Sequence, residues 1–257
     1  MIHPTAIIHP GAQLHESVRV GPYSVIDEHV TVGAGCELAP HVHLTGHTTI
    51  GAENRFHAGC VIGDAPQDLK YSCEPTRLII GERNLFREHV TIHRSNTPSE
   101  DTRIGSENFF MANSHVGHNS IIGNKAILAN GVLIAGHAMI GDGAFLAGNA
   151  VVHQFCRVGA MAMMQGCAGV SLDLPPFTIV RGINGMCGLN SVGLKRAGFS
   201  PEERSQLKKA YHAIFLSDDL LKDALEKARA EFTGVLAEQL IDFVATSQRG
   251  TCSHTKR

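Results

Sequence analysis

The chain has 257 residues, of which 18% are charged and 5% aromatic, with no tryptophan and 27 glycines; this is a strand-and-turn composition of small side chains, sized for one large domain or two small ones. A formal net charge of −2 lacks the basic face that nucleic-acid binding needs, while leaving room for a local basic patch. No apolar run approaches the roughly 18 residues that argue for a membrane span, and the start MIHPTAIIHP lacks the basic and apolar regions of a signal peptide.

From Ile2 onward, every sixth residue is large and apolar. The series runs Ile2, Ile8, Leu14, Val20, Ile26, Val32 and on through Ile62, resumes at Ile80, Phe86 and Ile92, and continues from Ile104 to Val170. It fails only at Asp68, Glu74 and Pro98, inside QDLKYSCEPTR and SNTPSED, which read as loops extruded near 64–78 and 94–103. Two positions before the apolar slot the side chain is usually small, as at Ala12, Ser24, Cys36, Cys60, Ala126 and Cys156. A period of six fits neither an α-helix nor an alternating strand. It fits a parallel β-helix of hexapeptide repeats, with three faces and eighteen residues per coil. The seven cysteines form no CxxC pair, so reduced thiols in a cytoplasm fit better than disulfides or a cysteine zinc site. Those in the small slots read as core packing.

After Val170 the repeat stops. PPFTIVRGINGMCGLNSVGLKRAGF is a Pro- and Gly-rich transition. SPEERSQLKKAYHAIFL then opens with a capping box, Ser200 as N-cap, Pro201 at N1 and Glu203 at N3. Helical spacing continues through DDLLKDALEKARAEF and GVLAEQLIDFVATSQ. The expectation is a β-helix over 1–186 and a helical domain over 187–257, with about three helices between 200 and 248 and a frayed polar tail.

Stacking locates candidate chemistry. With eighteen residues per coil, residue i lies under residue i+18, one strand spacing of about 4.8 Å away. His118 then lies under Gly136, and Gly136 under Gln154. A glycine above a histidine leaves its backbone N–H uncovered. A general base beside a fixed N–H donor is what acyl transfer requires. His93, His115, His137 and His153 fall in the flanking coils. His3, His9, His15, His29, His41, His43 and His47 read as surface or corner residues, and His212 and His254 carry no assigned role. A prism filled with aliphatic side chains has no internal cleft, so a substrate groove must form between prisms, most simply in a closed ring.

The stretches IGDAPQDLKYSCEPTRLIIGERN, REHVTIHRS, NSHVGHNSIIGN, LANGVLIAGHAMIGD, VVHQFCRVGA and VGLKRAGFS closely resemble the acyl-ACP–UDP-N-acetylglucosamine O-acyltransferases, which open lipid A synthesis. The resemblance covers nearly the whole chain and implies a left-handed parallel β-helix that is homotrimeric, with active sites between subunits. It implies transfer of an (R)-3-hydroxyacyl chain from acyl carrier protein to the 3-hydroxyl of UDP-GlcNAc, with no metal, no covalent acyl-enzyme and no cofactor beyond the carrier-bound thioester. In that pattern His118 matches the general base and Gly136 the oxyanion donor. His93, His115, His137, His153 and Gln154 match residues lining the groove for sugar and pantetheine-acyl chain. Gln67, Asp68 and Lys70 match sugar and acyl-hydroxyl contacts, and Asn190 and Arg196 match nucleotide contacts. Gly166 matches the position that measures the acyl tail. Its axial distance from His118 and the reach of an extended chain point to acyl groups of about 12 to 14 carbons.

The chain departs from the family pattern at several places. Asn119 stands beside His118 where an aspartate is common, Val192 and Ala197 stand where a glutamate and a second arginine are common, and HRS replaces HRG. These leave open the same chemistry on the 3-amino analogue of the sugar, forming an amide. A zinc carbonic anhydrase on the same fold is a further alternative, which would need three histidines converging on one metal.

Overall fold

The structure, a computed structural model, describes residues 1–255. Short parallel strands, mostly of two residues, stack into three sheets of nine, eight and eleven strands among the described residues, so that the chain winds around a three-sided prism. We call the faces one, two and three. Face one begins at Ile7–Ile8, face two at Gln13–Leu14 and face three at Arg19–Val20. Strands pair with those one coil away: Ile7 with Val25, His115 with Leu133 and Ile127 with Phe145.

The six-residue period explains each position. The apolar slot points inward, and Leu44, Ile62, Ile92, Val116, Leu128, Ile134 and Leu146 are fully buried. The small slot closes each corner, where Cys60, Ala126, Ala144, Cys156 and Ala162 are likewise buried. One residue earlier the corner takes a left-handed conformation, as at Tyr23, Asn113, Asn119, His137 and Asn149, with φ between 57° and 59°. Asn and His tolerate this region better than most residues, which accounts for part of their number here.

Two ladders run through the middle of the prism. Phe56, Phe86 and Phe110 stack with centroids 4.7 and 4.9 Å apart. Beside them the buried amides of Asn54, Asn84 and Asn108 link in series. Asn84 Nδ2 donates to Asn54 Oδ1 at 2.9 Å and to the Gly105 carbonyl at 2.9 Å, while Asn84 Oδ1 accepts from the Asn108 N–H at 2.9 Å and from Asn108 Nδ2 at 3.0 Å. Asn84→Ala would orphan buried donors on Asn108, a loss of about 3 kcal/mol. A lowered urea midpoint with an unchanged far-UV spectrum is the expected result.

The two extruded loops leave the stack in place, with one register shift between Ile62 and Asp64 at the base of the first. His43 pairs with Val61, eighteen positions on, but Val61 pairs with Thr91, thirty positions on. Arg77 pairs with Asp101, twenty-four positions on. Residues 65–76 and 94–100 take up the difference, and both leave from the corner between faces one and two.

Beyond Val170, Thr178–Arg181 adds to face three on Met163–Met164, and Gly185–Leu189 returns antiparallel to it. Among the described residues four helices follow: α1 (Ser191–Arg196), α2 (Pro201–Phe215), α3 (Leu221–Glu231) and α4 (Val235–Ala245). The three expected between 200 and 248 are α2, α3 and α4; α1 is an additional six-residue helix inside the Gly-rich transition. The Ser200 capping box is formed, with Ser200 Oγ accepting from the Glu203 N–H at 3.1 Å and Glu203 Oε2 from the Ser200 N–H at 2.8 Å. As far as Thr255 the expected frayed tail is ordered: Ser253–His254 pairs with Gly185–Met186, Cys252 is buried, and His254 Nδ1 lies 2.7 Å from the Tyr211 hydroxyl; Lys256 and Arg257 lie outside the described residues. Buried Asp173 fastens the helices to the prism, accepting from Arg157 Nε at 2.8 Å and Ser247 Oγ at 2.9 Å. None of the helices is long and apolar enough to cross a membrane among the described residues.

Candidate active site

The corner between faces one and two carries the site. His118 occupies the turn between His115–Val116 and Ile121–Ile122, and Gly136 the turn one coil on, between Leu133–Ile134 and Met139–Ile140. Their approach is close: a Cβ built on Gly136 would lie 2.7 Å from both Cε1 and Nε2 of His118. Only glycine fits against that ring. Among the described residues nothing accepts a hydrogen bond from the Gly136 N–H, so the donor is available.

His118 is 8% exposed, and its other nitrogen is engaged. Nδ1 lies 2.9 Å from Asn119 Oδ1. That oxygen also accepts the Asn96 N–H at 3.0 Å. Because a backbone N–H can only donate, the atom facing His118 is the amide oxygen, and His118 Nδ1 must carry the proton. The lone pair is then on Nε2, the nitrogen turned toward Gly136. Asn119 Nδ2 in turn donates to Glu100 Oε2 at 2.7 Å.

A groove of about 700 Å³ opens over face one in front of this pair, within the usual size for a small-molecule site. His93, His115, His153, Gln154 and Gln67 line it with His118 and Gly136. Leu133, Val151, Val170 and Ile183 supply an apolar floor. Burial pushes the His115 imidazole down to about 4, helped by His93 and His118, so it is neutral at pH 7. Its Nδ1 lies 2.8 Å from Thr91 Oγ1. Burial also lowers the pKa of His93, whose Nδ1 has no hydrogen-bond partner among the described residues.

The remaining candidates lie outside the groove. His137 packs edge-on against His118 at 5.1 Å but stacks on Phe155 at 4.7 Å, facing a separate cavity with Arg157 and Asp173. Burial, then the neighbouring His118, lowers its pKa. Asp68 sits on the first loop, held by the Lys70 N–H at 3.0 Å and Asn96 Nδ2 at 2.8 Å; these two bonds, that of Lys70 first, keep its carboxyl below the usual range. Lys70 and the neighbouring Leu69 are exposed. Gly166 is at the opposite edge of face one, on the corner with face three, where an added Cβ would meet only the Gly148 carbonyl at 3.6 Å. Its distance from His118 is therefore not purely axial, as the chain-length argument assumed. Asn190 is occupied structurally: it caps α1 through the Gly193 N–H at 3.0 Å and donates to the Met161 carbonyl at 2.9 Å. Arg196 is exposed at the end of the same helix. Among the described residues no group of three His, Cys, Asp or Glu side chains is placed to hold a metal ion.

Asn96, Glu100 and Thr91 were not anticipated from the sequence. Asn96 and Glu100 reach the site from a loop that breaks the period. Thr91 lies twenty-four residues before His115, because the second loop displaces the eighteen-residue count.

Comparison with known proteins gives one answer. Residues 173–252 match the family described as UDP N-acetylglucosamine O-acyltransferase, domain 2, and residues 101–136 match the bacterial transferase hexapeptide (six repeats). The acyl-[acyl-carrier-protein]–UDP-N-acetylglucosamine O-acyltransferase of Anaeromyxobacter sp. is 45% identical over 253 residues, covering 97% of this chain and 98% of its own. Its namesake from Herminiimonas arsenicoxydans is 46% identical, with 97% of this chain and 98% of its own covered. The crystal structure of the Francisella novicida UDP-N-acetylglucosamine acyltransferase superimposes with a TM-score of 0.95 at 36% identity, over 100% of this chain and 95% of the other. The prism is thus a left-handed parallel β-helix, and the chain belongs to the acyl-[acyl-carrier-protein]–UDP-N-acetylglucosamine O-acyltransferase family.

Proposed function

We propose that the chain moves an (R)-3-hydroxyacyl group from acyl carrier protein to the 3-hydroxyl of UDP-GlcNAc, the step that opens lipid A synthesis, and that the His118–Gly136 pair does the chemistry. The observation that carries this reading is the close packing of the His118 ring, Nε2 included, against Gly136, whose N–H has no acceptor among the described residues. His118 Nε2 takes the proton of the sugar hydroxyl as its oxygen attacks the thioester carbonyl. The tetrahedral oxyanion accepts the Gly136 N–H. Collapse breaks the C–S bond, and the departing pantetheine sulfur recovers the proton from His118. No metal or further cofactor enters this scheme.

The groove walls suit the two substrates. Gln67, His93, His115, His153 and Gln154 present polar atoms to sugar and pantetheine, and the floor of Leu133, Val151 and Ile183 suits an acyl chain. Those three side chains are 48%, 40% and 72% exposed, more apolar surface than a solitary prism leaves open. A homotrimer of prisms packed side by side covers it. Residues outside the groove of a single chain, among them Asp68, Lys70, His137, Gly166, Asn190 and Arg196, then contribute to composite sites, Gly166 to the end of the acyl tail and Asn190 and Arg196 to the nucleotide. A cytoplasmic location follows from this substrate pair.

One assay tests the reading. The protein is incubated with UDP-GlcNAc or its 3-amino analogue and a series of hydroxyacyl carrier proteins, and products are identified by mass. Ester formation on UDP-GlcNAc is expected, and the donor series reads out which chain length the groove accepts. Product only from the amino sugar would reassign the acceptor, and product from neither would refute the proposal.

A further inference from the structure

An aspartate beside a catalytic histidine offers two equivalent oxygens, and either accepts the Nδ1 proton. Asn119 has two unlike ends. With its oxygen toward His118, the imidazole proton stays on Nδ1 and Nε2 is a base. With its NH2 group there instead, Nδ1 would have to accept, the proton would sit on Nε2, and the ring could not take a proton from the acceptor. The orientation of one amide thus decides whether the site has a base.

Three contacts hold Asn119. Its backbone, at φ 58°, donates to Thr102 Oγ1 at 2.7 Å. Its Oδ1 receives the Asn96 N–H, and its Nδ2 donates to Glu100 Oε2 at 2.7 Å. A flipped amide would face NH2 toward the Asn96 N–H and its oxygen toward the Glu100 carboxylate, two repulsive pairs in place of two bonds. Of these anchors only Glu100 is a side chain with no place in the prism core. It stands on the second extruded loop, 55% exposed, with Oε2 also 3.7 Å from His137 Nδ1.

We propose that Glu100 is a positioning residue for the reaction: by accepting from Asn119 Nδ2 it fixes the amide, and through it the Nδ1–H tautomer of His118. The inference rests on His118 being the base. A charge-assisted bond to a carboxylate is stronger than a neutral one, which suits an anchor on a half-exposed loop. Glu100 touches no substrate in this scheme. Its effect on the base passes through Asn119.

The test combines spectroscopy with kinetics on the full-length protein. Histidine ring nitrogens are labelled with 15N, and the His118 signals are identified by their loss in H118A. The wild type is expected to show the Nδ1–H tautomer. In E100A the spectrum should gain the Nε2–H form, with kcat reduced about 10-fold, since the wrong tautomer removes the base, and KM for UDP-GlcNAc nearly unchanged. E100Q keeps an acceptor oxygen and should keep the tautomer and most of kcat. A carboxylate has no wrong end, so E100A should cost little in an N119D background, a non-additivity that a loop-folding role would not produce. Wild-type tautomer in E100A overturns the proposal. So does a wild-type kcat in E100A while H118A is inactive, or an E100A loss that persists undiminished with N119D. A tautomer shift in E100A together with an active H118A would instead discard the base assignment and leave the positioning of the ring by Glu100 standing.

Discussion

His118→Ala is expected to lower kcat by about 10²–10⁴, the usual contribution of a positioned base, with little change in thermal stability. The ring packs at a corner of the prism and not among the aliphatic slots, so its removal opens no cavity in the core. Asn119 Oδ1 keeps the Asn96 N–H as a donor, so no buried acceptor is orphaned. KM for UDP-GlcNAc should move less than kcat, because the proton transfer belongs to the transition state. Single-turnover rates alongside a melting curve check both halves. Near-normal turnover would remove His118 from the mechanism.

A second large effect should come from one methyl group. Gly136 is outside the left-handed region, since its φ is not among the positive values, so alanine strains no backbone there. The new Cβ would nevertheless fall 2.7 Å from His118 Cε1 and Nε2. An imidazole at the end of a side chain could normally swing aside, but this one is tied at Nδ1 to Asn119 at 2.9 Å. It must either break that bond or crowd the Gly136 N–H. Both separate the base from the oxyanion donor, and a misplacement on the ångström scale costs about 10² in rate. Gly136→Ala should therefore lose about 10² in kcat with a folded-state melting temperature close to that of the parent. Activity above half of wild type would mean that the reaction does not use this close approach.

The sequence carries the prism because each residue's environment depends on its place in a six-residue count. Ile92, Val116 and Ile134 are buried for the same reason that Ile2 is large and apolar, although Ile2, in the first described coil, remains 53% exposed. The contact of His118 with Gly136 follows from counting eighteen. What does not repeat could not be counted. Glu100 reaches Asn119 only because the loop at 94–100 folds back over the corner, and Thr91 meets His115 only after that loop is subtracted. Asn190 reads as a nucleotide contact by resemblance, while its amide caps a helix too short to show a periodic pattern. The pairing of Ser253 with Gly185 joins segments sixty-eight residues apart, and nothing local to either announces the other.

Because each coil touches only the coils directly before and after it, resistance to opening is graded along the axis. At the start, Met1, Ile2 and Ile7 are 89%, 53% and 66% exposed, and few bonds oppose the unwinding of that end. At the far end the helices and Asp173 clamp the last coils. Between them, the linked amides of Asn54, Asn84 and Asn108 and the stacked phenylalanines make the middle coils the last to open. Amide hydrogen exchange would thus be fastest at the amino terminus and slowest around residues 84–126. The corner that carries His118 emerges from that slow-exchanging segment and Gly136 lies on the next coil, so the spacing of the proposed base and donor is insulated from fraying at the first coil.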